Sequence, residues 1–308
     1  MNRISLIICL MLVPFLGSGR HKNRWEKVAV SEDKTICDDA PWVLVFEDNF
    51  DGNSLDLSKW NPYKGVPRDI DFKSQKAWHK PENVVIEDGL LKIVSRRETM
   101  DSMPVVTSWE PYTVKYEDFE YTSGEIWSKT AFSHGKLEAR IKIPHGWGFC
   151  PAFWMFGNEI ILESGNKKNR NNEIDVFEFW NEKKPSDMHK MHHLTVHYDR
   201  KYRHSSYKGP DFSADFHVFT MIWDENKIEF YVDGVLKRTD YKYKKRGKGI
   251  ECQLHAGKKY KGNKVFPTYP MNIILNNAVL AGDNAPNENT SFPAYMEVDY
   301  VRYYERRP

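Results

Sequence analysis

The chain has 308 residues, 40% of them hydrophobic and 14% aromatic, enough to bury one large β core and within the size that a single β domain reaches. A formal net charge of +2 at pH 7 excludes a general nucleic-acid binder, whose footprint would be strongly basic. No stretch is biased enough in Pro, Gly, Ser or charge to act as a linker, and no internal period marks a solenoid or propeller.

At the amino end, Arg3 precedes an apolar run over 4–16, and Gly17-Ser18-Gly19 offers small residues for cleavage. Residues 1–19 therefore read as a signal peptide, 20–40 as an N-terminal extension and 41–308 as one domain. The run is too short to span a membrane, and no Cys directly follows it to take a lipid. The expectation is a soluble protein, secreted or periplasmic. With Cys9 inside the signal, Cys37, Cys150 and Cys252 allow one disulfide at most, and their spacing matches no zinc site.

Along the rest of the chain, helical periods are nearly absent and period-two alternation recurs between Gly, Asp, Asn and Pro. In 135–143, Leu137, Ala139, Ile141 and Ile143 share one face while Lys136, Glu138, Arg140 and Lys142 share the other, so this strand has a wet side. Hairpins are expected where 83–86 returns through Glu87-Asp88-Gly89 into 90–94, and where 227–232 returns through Asp233-Gly234 into 235–238. Further strands are expected at 46–48, 124–129, 152–156, 173–179, 194–198, 216–223, 271–276 and 296–304. So many antiparallel strands in one domain imply an all-β sandwich or jelly roll, whose curved inner sheet could hold an extended chain. The Lys-rich segment 237–264 carries eleven Lys or Arg against Asp240 and Glu251. It reads as a solvated loop and strand edge, in preference to a site for an anionic polymer.

Chemistry concentrates in Glu173-Ile174-Asp175-Val176-Phe177-Glu178. Glu173 and Asp175 point to the same side of a strand, whereas Glu178 faces away unless a β-bulge changes the parity. A bulge is thus required if all three are to share a groove. Ile174, Val176, Phe177, Phe179 and Trp180 are too apolar for a solvated face, which sets the acids beside a core. Crowded, partly desolvated carboxylates keep one proton near neutral pH, as a general acid requires. Retaining glycoside hydrolysis uses two such groups, one as nucleophile and one as acid/base. The spacing His189, His192, His193, His197 lies in a predicted strand and argues against a zinc site, whose four-apart pairs belong on a helix.

The segments Phe46-Glu47-Asp48-Asn49-Phe50-Asp51-Gly52, Tyr121-Thr122-Ser123-Gly124, Gly135 to Lys142, Pro151-Ala152-Phe153-Trp154-Met155, the acidic run, Phe230-Tyr231-Val232-Asp233-Gly234 and Val298-Asp299-Tyr300-Val301-Arg302 occur in one order. As a set they resemble glycoside hydrolase family 16, the laminarinase, agarase, porphyranase and carrageenase group, over about 46–305. The resemblance implies a β-jelly roll of two curved antiparallel sheets with an open concave cleft, in which 41–308 is the catalytic domain. It implies a monomeric endo-hydrolase cutting a polysaccharide with retention, Glu173 being nucleophile, Asp175 the middle acid and Glu178 the acid/base. Trp154 matches a tryptophan beneath the sugar next to the cut, though a core Trp fits the sequence equally, and His197 matches a histidine near the acid/base. Trp147 and Trp180 are groove or packing residues. No cofactor is needed for catalysis, while a structural calcium on the convex side would use Glu47, the Gly89 backbone and Asp299.

Two departures bear on substrate. After Asn276 the chain reads Asn277-Ala278-Val279-Leu280 instead of the Gly-Gly-x-Trp pattern of glucan-cleaving members, and Cys150 replaces the usual Trp before Pro151. A β-1,3-glucan of laminarin type and a β-galactan of agar or porphyran type both stay open. So do a transglycosylase using the same intermediate and a carbohydrate-binding jelly roll without activity.

Overall fold

The computed structural model describes residues 24–66, 75–106, 114–161, 167–180, 182, 187–198 and 201–307. The signal-peptide reading of 1–19 lies outside them. Two sheets build a β-jelly-roll sandwich. The seven-stranded sheet runs Lys201–Lys208, Met191–Tyr198, Lys167–Glu178, Phe149–Ile161, Met271–Val279, Glu125–Phe132 and Trp60–Pro62 in spatial order. The ten-stranded sheet is built around Ala294–Arg306, which pairs with Gly135–Lys142, Leu90–Val106 and Trp42–Asp48.

The alternation predicted for 135–143 appears in Gly135–Lys142, where Leu137, Ala139 and Ile141 are fully buried and the charged residues between them are not. Gly135 is required here, because a Cβ would lie 2.4 Å from the Tyr303 ring. Both predicted hairpins form: Asp88 and Gly89 have φ of 57° and 71°, and Asp233 and Gly234 have 49° and 74°. Paired positive φ values are what a two-residue type I′ turn demands. Between the sheets, Phe153, Met155, Ile174 and Phe177 meet Phe219, Met221, Phe230 and Tyr303 in one core cluster. Each fully buried large side chain there contributes roughly 1.5–3 kcal/mol, which penalises any register slip that would expose the set.

The Lys-rich segment differs from its expectation. It forms the strand Val235–Tyr241 and then the short strands Tyr243–Lys245, Lys248–Gly249, Gln253–Leu254 and Lys259–Asn263. Three of these join Trp25–Ala29 in a separate four-stranded sheet, and Lys34–Thr35 pairs with Gln253–Leu254. Ile36, Leu254 and Tyr260 fill a small core beneath it, and a Cys37–Cys252 disulfide with Cα atoms 4.7 Å apart closes the unit. Pieces of two to five residues carry too little alternation to be read singly, and Lys259–Asn263 and Gln253–Leu254 find partners more than 200 residues away in sequence.

Candidate active site

The strand Lys167–Glu178 lies third in the seven-stranded sheet, between Phe149–Ile161 and Met191–Tyr198. From Asn172 to Asp175 its register with both neighbours is regular and then shifts: Asp175 pairs with Trp154, but Phe177 pairs with Phe153. On the other side the shift falls between Asp175 and Glu178. Val176 is the extra residue, and both Val176 and Phe177 enter the main core. Two consecutive inward side chains return Glu178 to the face of Glu173 and Asp175, the parity change the sequence demanded. All three carboxylates are at most 6% exposed, so water screens their charges little.

His197, opposite Glu173 on the next strand, places Nε2 3.7 Å from Glu173 Oε1 and 3.4 Å from Asp175 Oδ2. Burial on its own would push the imidazole down. The Glu173 charge, the hydrogen bond to Asp175 and the charges of Asp175 and Glu178 outweigh that and raise it to about 9. At neutral pH His197 is a cation set among carboxylates. Ligand atoms of Glu173, Asp175 and His197 also lie within 4.8 Å of one another, close enough for a divalent ion. The imidazolium already supplies positive charge at that point.

The surroundings of Glu178 are less legible in sequence. His193 pairs with Glu178 across the strands, and its ring stacks on Trp180 with centroids 3.5 Å apart and planes 15° from parallel. His193 shares hydrogen bonds of 2.8 Å with Glu182 Oε1 and with Ser206 Oγ, and the His204 ring lies near-parallel beside both rings, 5.4 Å from His193 and 5.7 Å from Trp180. Burial lowers the His193 and His204 imidazoles, the latter to about 4, so this wall is uncharged on its histidines at neutral pH. Trp180 also packs on Cys150, Ala278 and Leu280. Cys150 is thus a buried thiol on this face, outside the disulfide, pushed well up by burial and then by the Glu178 and Asp175 charges. The only hint of the wall in sequence was the two-residue spacing of His193, Thr195 and His197, which puts all three on one strand face.

Trp154 pairs with Asp175 and lies on the acid-bearing face, apart from the main core. Its Nε1 donates to Asn276 Oδ1 at 2.8 Å, and Trp127 and Phe156 meet it edge to face at 6.1 and 6.0 Å. Trp127 in turn donates to Glu125 Oε1 at 2.5 Å, and Glu125 Oε2 lies 3.2 Å from buried His79. Glu125 and Asn276 face each other in register, so the floor beside Glu178 carries polar groups that the sequence did not single out. Trp147 sits in the turn before Phe149–Ile161, half-buried, its carbonyl accepting from Thr290 Oγ1. The carbonyl of the next residue, Gly148, accepts from the Leu280 amide, and Leu280 packs with Trp180.

The residues offered to calcium fit an ion poorly as arranged. Glu47 accepts from Arg302 Nε and Asp299 from Arg140 Nη1, each at 2.7 Å, while Gly89 sits at the hairpin tip. A cation would have to compete with both guanidinium groups.

A β-jelly roll whose bulged strand presents three buried carboxylates beside stacked aromatic rings defines a carbohydrate-active protein of the paired-carboxylate class. The chain belongs to glycosyl hydrolases family 16, hydrolases acting on O-glycosyl bonds, whose model matches residues 73–302. It is 28% identical over 286 residues to glucan endo-1,3-beta-glucosidase A1 of Niallia circulans, covering 86% of this chain and 38% of that protein. It is 27% identical over 285 residues to kappa-carrageenase of Pseudoalteromonas carrageenovora, covering 85% and 64%. Both relatives are longer, and this chain spans under two thirds of either. Among solved structures, the catalytic domain of an endo-1,3-beta-glucanase (laminarinase) from Thermotoga petrophila RKU-1 superposes with a TM-score of 0.63 at 28% identity, covering 87% of this chain and all of that one.

Proposed function

We propose that the chain is an exported, monomeric, retaining endo-glycosidase that hydrolyses internal β-glycosidic bonds of a polysaccharide. The Glu173 carboxylate attacks the anomeric carbon as the bond to the leaving sugar breaks, and the Glu178 carboxyl gives its proton to the departing oxygen. Glu178, now ionised, takes a proton from water. The water oxygen then attacks the same carbon and frees Glu173. Asp175, held by the His197 cation, sits between them and orders the charges. No step passes through a metal ion.

One observation carries this reading: the bulge at Val176, which turns Glu178 to the face of Glu173. Retention calls for carboxyl groups about 5–5.5 Å apart. Trp154 lies under the reacting sugar in this scheme, while Trp180 and Trp147 receive the leaving side, next to the acid. The Cys37–Cys252 disulfide supports export, with residues 1–19 removed, since such bonds persist in oxidising compartments.

The polymer is a β-1,3-glucan or a β-galactan, and the curated relatives named above divide between a glucanase and a carrageenase. A reducing-sugar screen over laminarin, mixed-linkage glucan, agarose, porphyran and carrageenan tests the assignment, with Glu173→Ala as control. New reducing ends on one polymer, absent with the variant, are expected. Redistributed chain lengths without net new ends would make it a transglycosylase, and binding without either would make it a carbohydrate-binding module.

A further inference from the structure

The four-stranded sheet outside the sandwich has a basic face that catalysis does not use. Its order is Trp25–Ala29, Lys259–Asn263, Tyr243–Lys245, Lys248–Gly249. Lys27 and Lys244 both pair with Lys261, Trp25 pairs with Asn263 and Ala29 with Lys259. Paired residues share a face and side chains alternate along each strand, so Trp25, Lys27, Lys244, Lys259 and Lys261 stand together. The opposite face is fixed by Val28, Tyr243 and Tyr260, the last two belonging to the small core with Ile36 and Leu254. Glu26 falls on that opposite side, beside Gly262, where it meets Lys264 at 3.6 Å. The basic face carries no carboxylate among its strand residues.

Edge protection does not account for these lysines. Lys261 and Lys244 lie on the two interior strands and are each paired on both sides. Neighbouring strands are about 4.8 Å apart, so Lys27, Lys261 and Lys244 form a row of like charges at that spacing, which is unfavourable until an anion joins it. At one end the Arg24 guanidinium and the Lys244 ammonium lie over the Trp25 ring, 5.2 and 5.0 Å from its centroid. Arg24 and Lys244 also lie close enough to Arg203 to act on it or be acted on by it, and Arg203 belongs to the edge strand two places from the acids. A ring that holds two cations over it fixes positive charge at the end of the lysine row, which suits a polymer carrying anionic substituents.

We propose that this face is a second binding surface for an acidic glycan, engaging its sulfate esters through Lys27, Lys244 and Lys261, with the Trp25 ring holding Lys244 in place. It lies apart from the carboxylates, and the family membership of the chain together with its near-neutral net charge favours a glycan over a nucleic acid. Binding there is independent of turnover.

The test is affinity electrophoresis of the full chain in gels containing dextran sulfate, neutral dextran or duplex DNA. Dextran sulfate is expected to retard the parent and neutral dextran not to. The triple variant Lys27→Ala/Lys244→Ala/Lys261→Ala should bind dextran sulfate about tenfold more weakly, with a salt slope smaller by about 2. Trp25→Ala should weaken it by a smaller factor. The corresponding triple Lys→Arg variant should bind like the parent, which separates charge from folding. Cleavage of a short neutral oligosaccharide by the alanine variant should equal that of the parent. Equal retardation of parent and alanine variant would overturn the proposal, as would tighter binding of duplex DNA than of dextran sulfate.

Discussion

His197 Nε2 stands 3.4 Å from Asp175 Oδ2, and this pair ties the middle acid of the bulged strand to a cation on the neighbouring one. The imidazole is raised from its ordinary 6.5 to about 9. A value raised on folding contributes stability that is fully present below pH 6.5 and lost as pH rises through about 9, worth about 3 kcal/mol at most. The stability cost of His197→Ala, measured by urea unfolding, should therefore be about 3 kcal/mol larger at pH 6 than at pH 10. An equal cost at both pH values would show that His197 is neutral in the folded chain.

Glu173 and Glu178 should fail in different ways. Glu178→Ala is expected to lose roughly 10²–10⁴-fold on polysaccharide but much less on an aryl glycoside whose leaving group needs no proton. Glu173→Ala should be inactive on both. Steady-state kinetics on the two substrates check this, and equal losses for Glu178→Ala on both would remove its role as acid.

Deleting Val176 removes the bulge and restores strict alternation, with Phe177 as the one inward residue between Asp175 and Glu178, so Glu178 stays on the face of Glu173. What is lost is the buried Val176 side chain, worth roughly 1.5–3 kcal/mol. The deletion should lower the thermal midpoint by about 2–5 °C and leave measurable cleavage that still depends on Glu178. Complete loss of cleavage in a folded variant would show that the bulge sets the position of Glu178 along the groove and not only its side of the sheet.

Trp180 lies face to face with His193 and beside Cys150 at the Glu178 end of the site. Removing the ring in Trp180→Ala takes away a stacking surface worth about 0.5–1.5 kcal/mol. KM for long substrates should rise about two- to tenfold, with a smaller effect on substrates that fill only the Glu173 side. A KM unchanged for both would make Trp180 a packing residue.

The sandwich was legible because its strands are long and half-buried: the alternation of Gly135–Lys142 and the Asp-Gly hairpin turns are local signals. The acid-bearing strand was legible for a different reason. Ile174, Val176 and Phe177 break the alternation in the one way that keeps Glu178 beside Glu173, so the parity conflict itself announced the bulge. Partners across the sheet were hidden. The His193–Glu182 and His79–Glu125 pairs depend on which strands lie side by side, and the second spans a strand, Ala77–His79, that pairs in parallel with Val114–Ser123. The basic sheet was hidden by distance, because Trp25–Ala29 finds its partner more than 200 residues later.

The most direct check on paired displacement is ¹H NMR of the first reducing ends released from the best polysaccharide, read before mutarotation. Two successive inversions at one carbon predict the β-anomer as the initial product. An initial α-anomer would mean a single displacement by water, with Glu173 acting as base and not as nucleophile, and the account of the Val176 bulge as a device for retention would be contradicted.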